Sequence, residues 1–272
     1  MRTAALYDIH GNLPALEAVI AEARRKKIDQ IVIGGDVLPG PMPRETLAFL
    51  LDLDIPVRFL RGNGEAAVLA ERAGADPGIP EQAREAVRWV AEQLGPGDEE
   101  FLRSWPATLR LEIAGIGEVL FCHATPRSDK ENFTRLTPED RLLPIFEGIA
   151  VPLVVCGHTH MQFDRGIGGV RVVNAGSVGM PFGKPGADWL LLGPGIELRH
   201  TEYDLSGTAE ILGGTDYPKA REFVEQYVLS PPSEEKMLEA FGRSGLGGES
   251  EYTRQYSHGY QRPHPQDPSR GC

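Results

Sequence analysis

The chain has 272 residues, 41% of them apolar, and a formal net charge of −11. That length supports one sizeable core, or a core with a small cap. An acidic chain does not attract nucleic-acid backbone as a whole, so strong nucleic-acid binding is not expected; a bound divalent metal can still reverse the field inside a cleft and hold a phosphate there. No apolar run approaches the roughly 18 residues of a membrane span, and the first apolar stretch stops at Asp8, too short for a secretory signal. Cys122, Cys156 and Cys272 show no C-x-x-C spacing, and read as two small buried strand residues and a free terminal thiol. A soluble cytoplasmic protein is expected.

Residues 3–7 read as a strand. Asn12 then caps a helix with Pro14 in its first turn and Leu16, Val19, Ile20 and Ala23 on one face. Residues 31–33 form a second strand leading into Gly34-Gly35-Asp36. Residues 43–53 form a helix with Leu47, Leu50 and Leu51 inward. A third strand, 57–60, ends at Arg61-Gly62-Asn63. This alternation predicts a parallel sheet covered by helices.

Residues 65–104 read as a mostly helical insertion, with Ala83, Ala86, Val87, Val90 and Leu94 at helical spacing. Residues 108–113 and 118–122 form a hairpin, and a helix covers 138–146. Strands follow at 153–156, 161–167, 170–174, 189–192 and 197–203, so the second half is expected to be more antiparallel. Two facing sheets with helices outside absorb this pattern. Helices at 206–212 and 219–228 close a domain over 1–230. A short helix at 233–241 opens a C-terminal tail, 231–272, and from Gly242 the Gly, Ser, Pro, Gln and Arg content predicts a flexible or loosely attached segment.

The candidate chemistry lies at the ends of apolar runs. Asp8 and His10 are two apart, as are His158 and His160, so on an extended chain each pair points to one side. Asp36 follows two glycines, which allow close backbone approach. Asn63 sits between Gly62 and Gly64, and His123 ends the strand 119–122. The crevice beyond the carboxyl ends of strands is where α/β sheets bind ligands. Mixed carboxylate and imidazole donors suit manganese first, with Fe, Zn, Ni and Co as alternatives, better than calcium. Seven ligands exceed one ion and suit two if Asp36 bridges. Two ions about 3.5–4 Å apart clamp phosphoryl oxygens and activate water between them.

Asp8-Ile9-His10, Gly35-Asp36, Gly62-Asn63, His123 and Gly157-His158-Thr159-His160 together resemble the ordered motif set of calcineurin-like metallophosphoesterases. The resemblance covers about residues 3–205. It implies a four-layer αββα sandwich of two mixed sheets flanked by helices. It implies one metal held by Asp8, His10, Asp36 and His160, and a second held by Asp36, Asn63, His123 and His158. The chain also resembles the compact bacterial and archaeal branch of that family, in which the run Asn174 to Gly179 ends a late strand near the cleft. A lone Asp-x-His is a weak signal; five motifs in one order, each closing an apolar run, are a strong one.

The family's familiar form places a histidine after the motif asparagine, where it protonates the leaving group. Here that position is Gly64, followed by Glu65 with no imidazole to orient. A positioned acid contributes about 10²–10⁴-fold, or roughly 3–5 kcal/mol of barrier. Its absence favours a phosphodiesterase or a phosphoanhydride (nucleotide) hydrolase. The alternatives are a phosphomonoesterase, including a protein phosphatase, and a non-catalytic metal-binding scaffold, which has no chemical need for seven ligands. His10, Asp36, Asn63 and His123 are the expected catalytic set. Arg127, Arg44 and Asn174 are the expected substrate contacts, with Arg127 suited to clamp a phosphate oxygen. Arg61 is a candidate support for the site. Ser177 reads as a turn residue or supporting donor, and His200, His258 and His264 as surface residues. The partner implied is a small phosphorylated molecule, with a nucleotide among the candidates.

Overall fold

The computed structural model describes residues 1–246. In chain order these form β1 (Thr3–Leu6), α1 (Leu13–Arg25), β2 (Gln30–Ile33), α2 (Pro43–Leu51), β3 (Val57–Phe59), α3 (Asn63–Arg72), α4 (Glu81–Gln93), α5 (Pro96–Ser104), β4 (Thr108–Ile113) and β5 (Gly117–Cys122). There follow α6 (Glu139–Phe146), β6 (Leu153–Cys156), β7 (Phe163–Ile167), β8 (Val170–Asn174), β9 (Ala187–Leu192), β10 (Ile196–Thr201), α7 (Leu205–Gly213), α8 (Ala220–Phe223) with a π-helical turn over Val224–Leu229, and α9 (Glu234–Ser244).

Two five-stranded sheets result, one ordered β10-β9-β1-β2-β3 and the other β4-β5-β6-β8-β7. Alternation along the strands assigns each side chain to a layer. Ala4, Leu6, Ile31, Ile33 and Leu191 face the helices over the first sheet, where α1, α2 and α4 contribute Leu16, Leu47 and Val90. Their neighbours Ala5, Tyr7, Val32, Leu190 and Leu192 point the other way and meet Val119, Phe121, Leu153, Val155 and Val173 of the second sheet. Leu120, Val154 and Val172 pack outward against Leu142, Ile145 and Phe146 of α6. Three apolar layers between four backbone layers make the αββα sandwich. Tyr7 Oη donates to the Val155 carbonyl at 3.1 Å and ties the two sheets together inside it.

The sequence pattern leaves the strand partners open. β1, β2 and β3 are parallel and the second half is more antiparallel, with β4 on β5, β7 on β8 and β9 on β10, both as expected. β5, β6 and β8 run parallel, while β9 and β10 return to the first sheet and pair antiparallel beside β1. Apolar periodicity shows which faces of a strand are buried and not which strand lies next to it. The helix expected over 219–228 is four α-helical residues and then the π turn. The tail is anchored further than its composition suggests: α9 runs to Ser244, Arg135 pairs with Glu234 at 2.6 Å, and Leu246 N–H donates to the Asn132 carbonyl at 3.1 Å. Residues 247–272, including His258, His264 and Cys272, lie outside the described residues. Among the described residues no helix is long and apolar enough to cross a membrane.

Candidate metal centre

The parallel strands deliver the predicted donors to one rim, but not through extended backbone. Asp8 (φ 54°), His10 (φ 48°), Asp36 (φ 53°), His158 (φ 67°) and His160 (φ 56°) all adopt left-handed conformations. Each such residue costs on the order of 1 kcal/mol or more, and such strain clusters where surrounding structure enforces it for function. Backbone bonds do the enforcing: Asp8 N–H donates to the Gly35 carbonyl at 3.1 Å and His10 N–H to the Asp36 carbonyl at 2.9 Å. The loops after β1 and β2 are thereby locked edge to edge. The two-apart pairs converge because the chain curls after each strand.

Two groups of three side chains come close enough to hold an ion each, Asp8 with His10 and His160, and Asp36 with His123 and His158; within each the donor atoms lie within 4.8 Å of one another. The groups face each other: His10 Nε2 is 3.9 Å from Asp36 Oδ2, and His123 Nε2 is 3.9 Å from Asp8 Oδ1. Asn63, the first residue of α3, puts Oδ1 3.0 Å from His123 Nε2.

The outer nitrogens set the tautomers. His10 Nδ1 lies 3.2 Å from the Pro39 carbonyl, His123 Nδ1 2.9 Å from the Gly34 carbonyl and His160 Nδ1 2.8 Å from the Met180 carbonyl. A carbonyl only accepts, so each Nδ1 donates a proton to it and Nε2 is the atom each ring turns inward. His10 Nε2 and His160 Nε2 face each other at 3.3 Å. Asp8 Oδ1 and His158 Nε2 are buried with no hydrogen-bond partner. Converging acceptors of this kind fit divalent cations and repel one another without positive charge between them.

The electrostatics divide the imidazoles: burial opposes charge on His160, but Asp8 raises it, as Asp36 raises His123. Burial pushes the Asp36 carboxyl up, but His123, His10 and His158 outweigh it and hold the group well below the usual carboxylate range. Asp8 is likewise lowered, against its burial, by His160 and His123. Burial and then His123 bring His158 down to about 4, and burial and then His160 lower His10. His123 goes the other way: burial opposes its charge, while Asp36 and Asp8 push it up to about 10. Both carboxylates are thus held ionised at neutral pH, as metal ligation requires.

A family model described as the calcineurin-like phosphoesterase superfamily domain matches residues 1–192. The chain belongs to that superfamily. Superfamily membership carries metal-dependent phosphoester hydrolysis with it, acting on small phosphorylated substrates through divalent ions. An uncharacterized protein of Methanocaldococcus jannaschii is 28% identical over 176 residues, covering 64% of this chain and 69% of that one. The crystal structure of a metallophosphoesterase from Sphaerobacter thermophilus is similar at 26% identity, with a TM-score of 0.65 over 83% of this chain and 97% of its own. A hypothetical protein from Pyrococcus horikoshii shares the fold, with a TM-score of 0.71 at 20% identity over 85% of this chain and 99% of its own.

In this calcineurin-like chain the position beside Asn63 is tighter than the sequence implies. Gly64 N–H donates to Asp36 Oδ1 at 2.7 Å, and a Cβ on Gly64 would lie 2.0 Å from the Leu38 carbonyl oxygen. Glu65, which the sequence leaves without a task, is fully buried and accepts from three backbone N–H groups: Asp36 and Gly62 at 2.9 Å and Leu38 at 3.0 Å. Burial and the nearby Asp36 charge push its carboxyl up to about 7, while the three donors pull it down. It fastens α3 to the Asp36 loop. The Gly62-to-Glu65 spacing is that of a capping box, and that was the available signal.

The predicted substrate contacts fare differently. Arg127 lines a cavity of about 260 Å³ beside His123, together with Arg61, but its guanidinium is already paired with Glu131 at 2.6 and 2.9 Å. Arg44 is exposed in a separate groove with Trp89 and Asp216, and the structure does not bring it to the centre. Asn174 is fully buried; its amide donates to the Gly157 carbonyl at 2.6 Å and Thr159 Oγ1 at 3.2 Å and its oxygen accepts from Gly176 N–H. It braces the His158–His160 turn and has no free polar atom for a substrate. Ser177 Oγ, as a supporting donor, reaches the Asp8 carbonyl at 2.8 Å. His200 is half-buried and bonded to Asp188 at 2.7 Å, where the sequence suggested a surface residue. Phe182, stacked on the His160 ring at 5.2 Å, has no sequence signal.

Proposed function

We propose that the chain hydrolyses phosphodiesters or phosphoanhydrides at a centre of two divalent ions, manganese first among those its donors suit. The observation that supports two ions is the opposition of two three-residue groups, all buried but His158, with Asp36 reaching both: Oδ1 is 3.4 Å from His123 Nε2 and Oδ2 3.9 Å from His10 Nε2. In this reading Asp8, His10 and His160 hold one ion, Asn63, His123 and His158 the other, and Asp36 both. When bound, such ions supply Lewis-acid stabilisation of the phosphoryl oxygens and an activated water.

The chain's own residues set what that chemistry can act on. The carbonyl contacts of His10, His123 and His160 keep their Nε2 atoms turned inward. Gly64 offers no proton to a departing oxygen, so the substrates that suit the site are those whose leaving group departs without one, namely aryl or nucleotide diesters and phosphoanhydrides.

The test uses metal-depleted protein reloaded with manganese. Two bound equivalents and faster turnover of bis(4-nitrophenyl) phosphate than of 4-nitrophenyl phosphate are expected. A single equivalent at full activity would overturn the two-ion reading, and faster monoester turnover would overturn the preference drawn from Gly64.

A further inference from the structure

A cavity of about 350 Å³ opens on the His10 side of the centre, opposite the His123 side. Its volume is at the lower end of the roughly 300–1,000 Å³ of small-molecule sites. His10 and Met180 form the end nearest the centre. One wall is α4, and the other is the stretch from Tyr217 to Tyr227, beyond the 192 residues that the family model matches. One of the two walls is therefore supplied by a segment outside the matched domain.

The second wall is a chain of rings. Tyr217 meets Trp89 edge-on at 5.5 Å and Phe223 at 6.0 Å, and Phe223 meets Tyr227 at 5.4 Å. Rings braced in this way offer a preformed surface for a flat π system. Gln82 and Gln226 line the same space, each amide carrying both donors and an acceptor. Lys219, half of its side chain exposed, stands at the rim in a left-handed conformation (φ 61°) that begins α8, with Nζ 3.9 Å from the carboxylate of Glu222, which lines the same cavity. A surface of rings flanked by amides, with a phosphoryl site at the inner end, matches a heteroaromatic base on a phosphorylated sugar. An alkyl chain would use the rings and leave both amides unused.

We infer that this cavity binds a nucleoside, so that the substrate is a nucleotide whose scissile bond lies at the centre. The placement of the phosphoryl end rests on the reading under Proposed function; the nucleoside site does not. Base stacking on an aromatic side chain is worth about 5- to 150-fold in affinity.

Two measurements test this on the full chain loaded with manganese. In the first, equilibrium binding of adenosine 5′-monophosphate and ribose 5-phosphate is compared by calorimetry, which needs no turnover. The nucleotide is expected to bind at least tenfold more tightly, and the margin is expected to vanish in Tyr227→Leu/Gln226→Ala. Gln82→Ala, on the exposed face of α4, repeats the test without disturbing the ring wall and is expected to narrow the margin. In the second, thymidine 5′-(4-nitrophenyl phosphate) is compared with methyl 4-nitrophenyl phosphate, which has the same leaving group. A lower KM for the nucleoside ester is expected, lost in the double variant while turnover of the methyl ester is unchanged. Equal binding of the two phosphates, or a margin that survives in both variants, would overturn the inference. A margin lost in the variants, with neither ester hydrolysed, would uphold the nucleoside site and overturn the hydrolase reading instead.

Discussion

Restoring the missing histidine at position 64 is expected to damage the site and not to complete it. A Cβ there would sit 2.0 Å from the Leu38 carbonyl oxygen and 2.9 Å from Asp36 Oδ1. The closest ordinary C···O approach is about 3.3 Å, so the start of α3 would have to retreat by more than ~1 Å. That helix carries Asn63 at its first position and Glu65 two residues on, and Glu65 holds Asp36, Leu38 and Gly62 by their N–H groups. The Gly64 N–H bond to Asp36 Oδ1 would stretch as well. A misplacement of ~1 Å costs on the order of 100-fold in rate. Gly64→His should therefore lose about 100-fold in kcat/KM on an aryl phosphodiester and gain no monoesterase activity. Gly64→Ala should lose nearly as much, because the first carbon makes the clash. The assay is turnover of diester and monoester with manganese, alongside metal content and thermal unfolding. A folded Gly64→His protein with the wild-type diester rate, or with new monoester turnover, would refute the steric reasoning.

Three further outcomes are expected. Asp36→Asn should bind fewer than two manganese equivalents and lose more activity than the roughly 10–100-fold typical of a change outside the ligands; full activity would remove Asp36 from the bridging position. Glu65→Gln keeps the side chain's shape but turns an NH₂ toward one of three backbone donors, leaving at least one unpaired at a cost of about 1–3 kcal/mol. In metal-depleted protein this should lower the unfolding midpoint by roughly 2–10 °C, and an unchanged midpoint would mean that Glu65 does not fasten α3. Asn174→Ala should weaken metal retention and lower the midpoint without a separate rise in KM, since its side chain is bonded to the His158 loop; a raised KM with both metals retained would make it a substrate contact after all.

The sequence by itself singled out the candidate ligand residues and roughly where the chain places them. Asp8, Asp36 and His158 each follow a strand of three or four apolar residues, directly or across one or two glycines, and these strands are buried. Asn12 as a cap and the alternation of Ala4 and Leu6 with Ala5 and Tyr7 are local signals, and the structure contains both. What only the tertiary structure decided depends on groups far apart in the chain. The return of β9 and β10 to the first sheet is a choice of partner, and periodicity is silent about partners. The left-handed backbone at Asp8 and His10 is imposed by carbonyls of the loop after β2, more than twenty residues away. Asn174 was legible as a polar residue near the cleft, but its inward orientation is set by the Gly157 carbonyl. Gly64 was legible as a missing acid; that no side chain fits there at all follows from the Leu38 carbonyl approaching from a different loop. The cavity beside His10 joins α4 to a segment more than a hundred residues later, and a contact between distant segments leaves no mark on either one's local pattern.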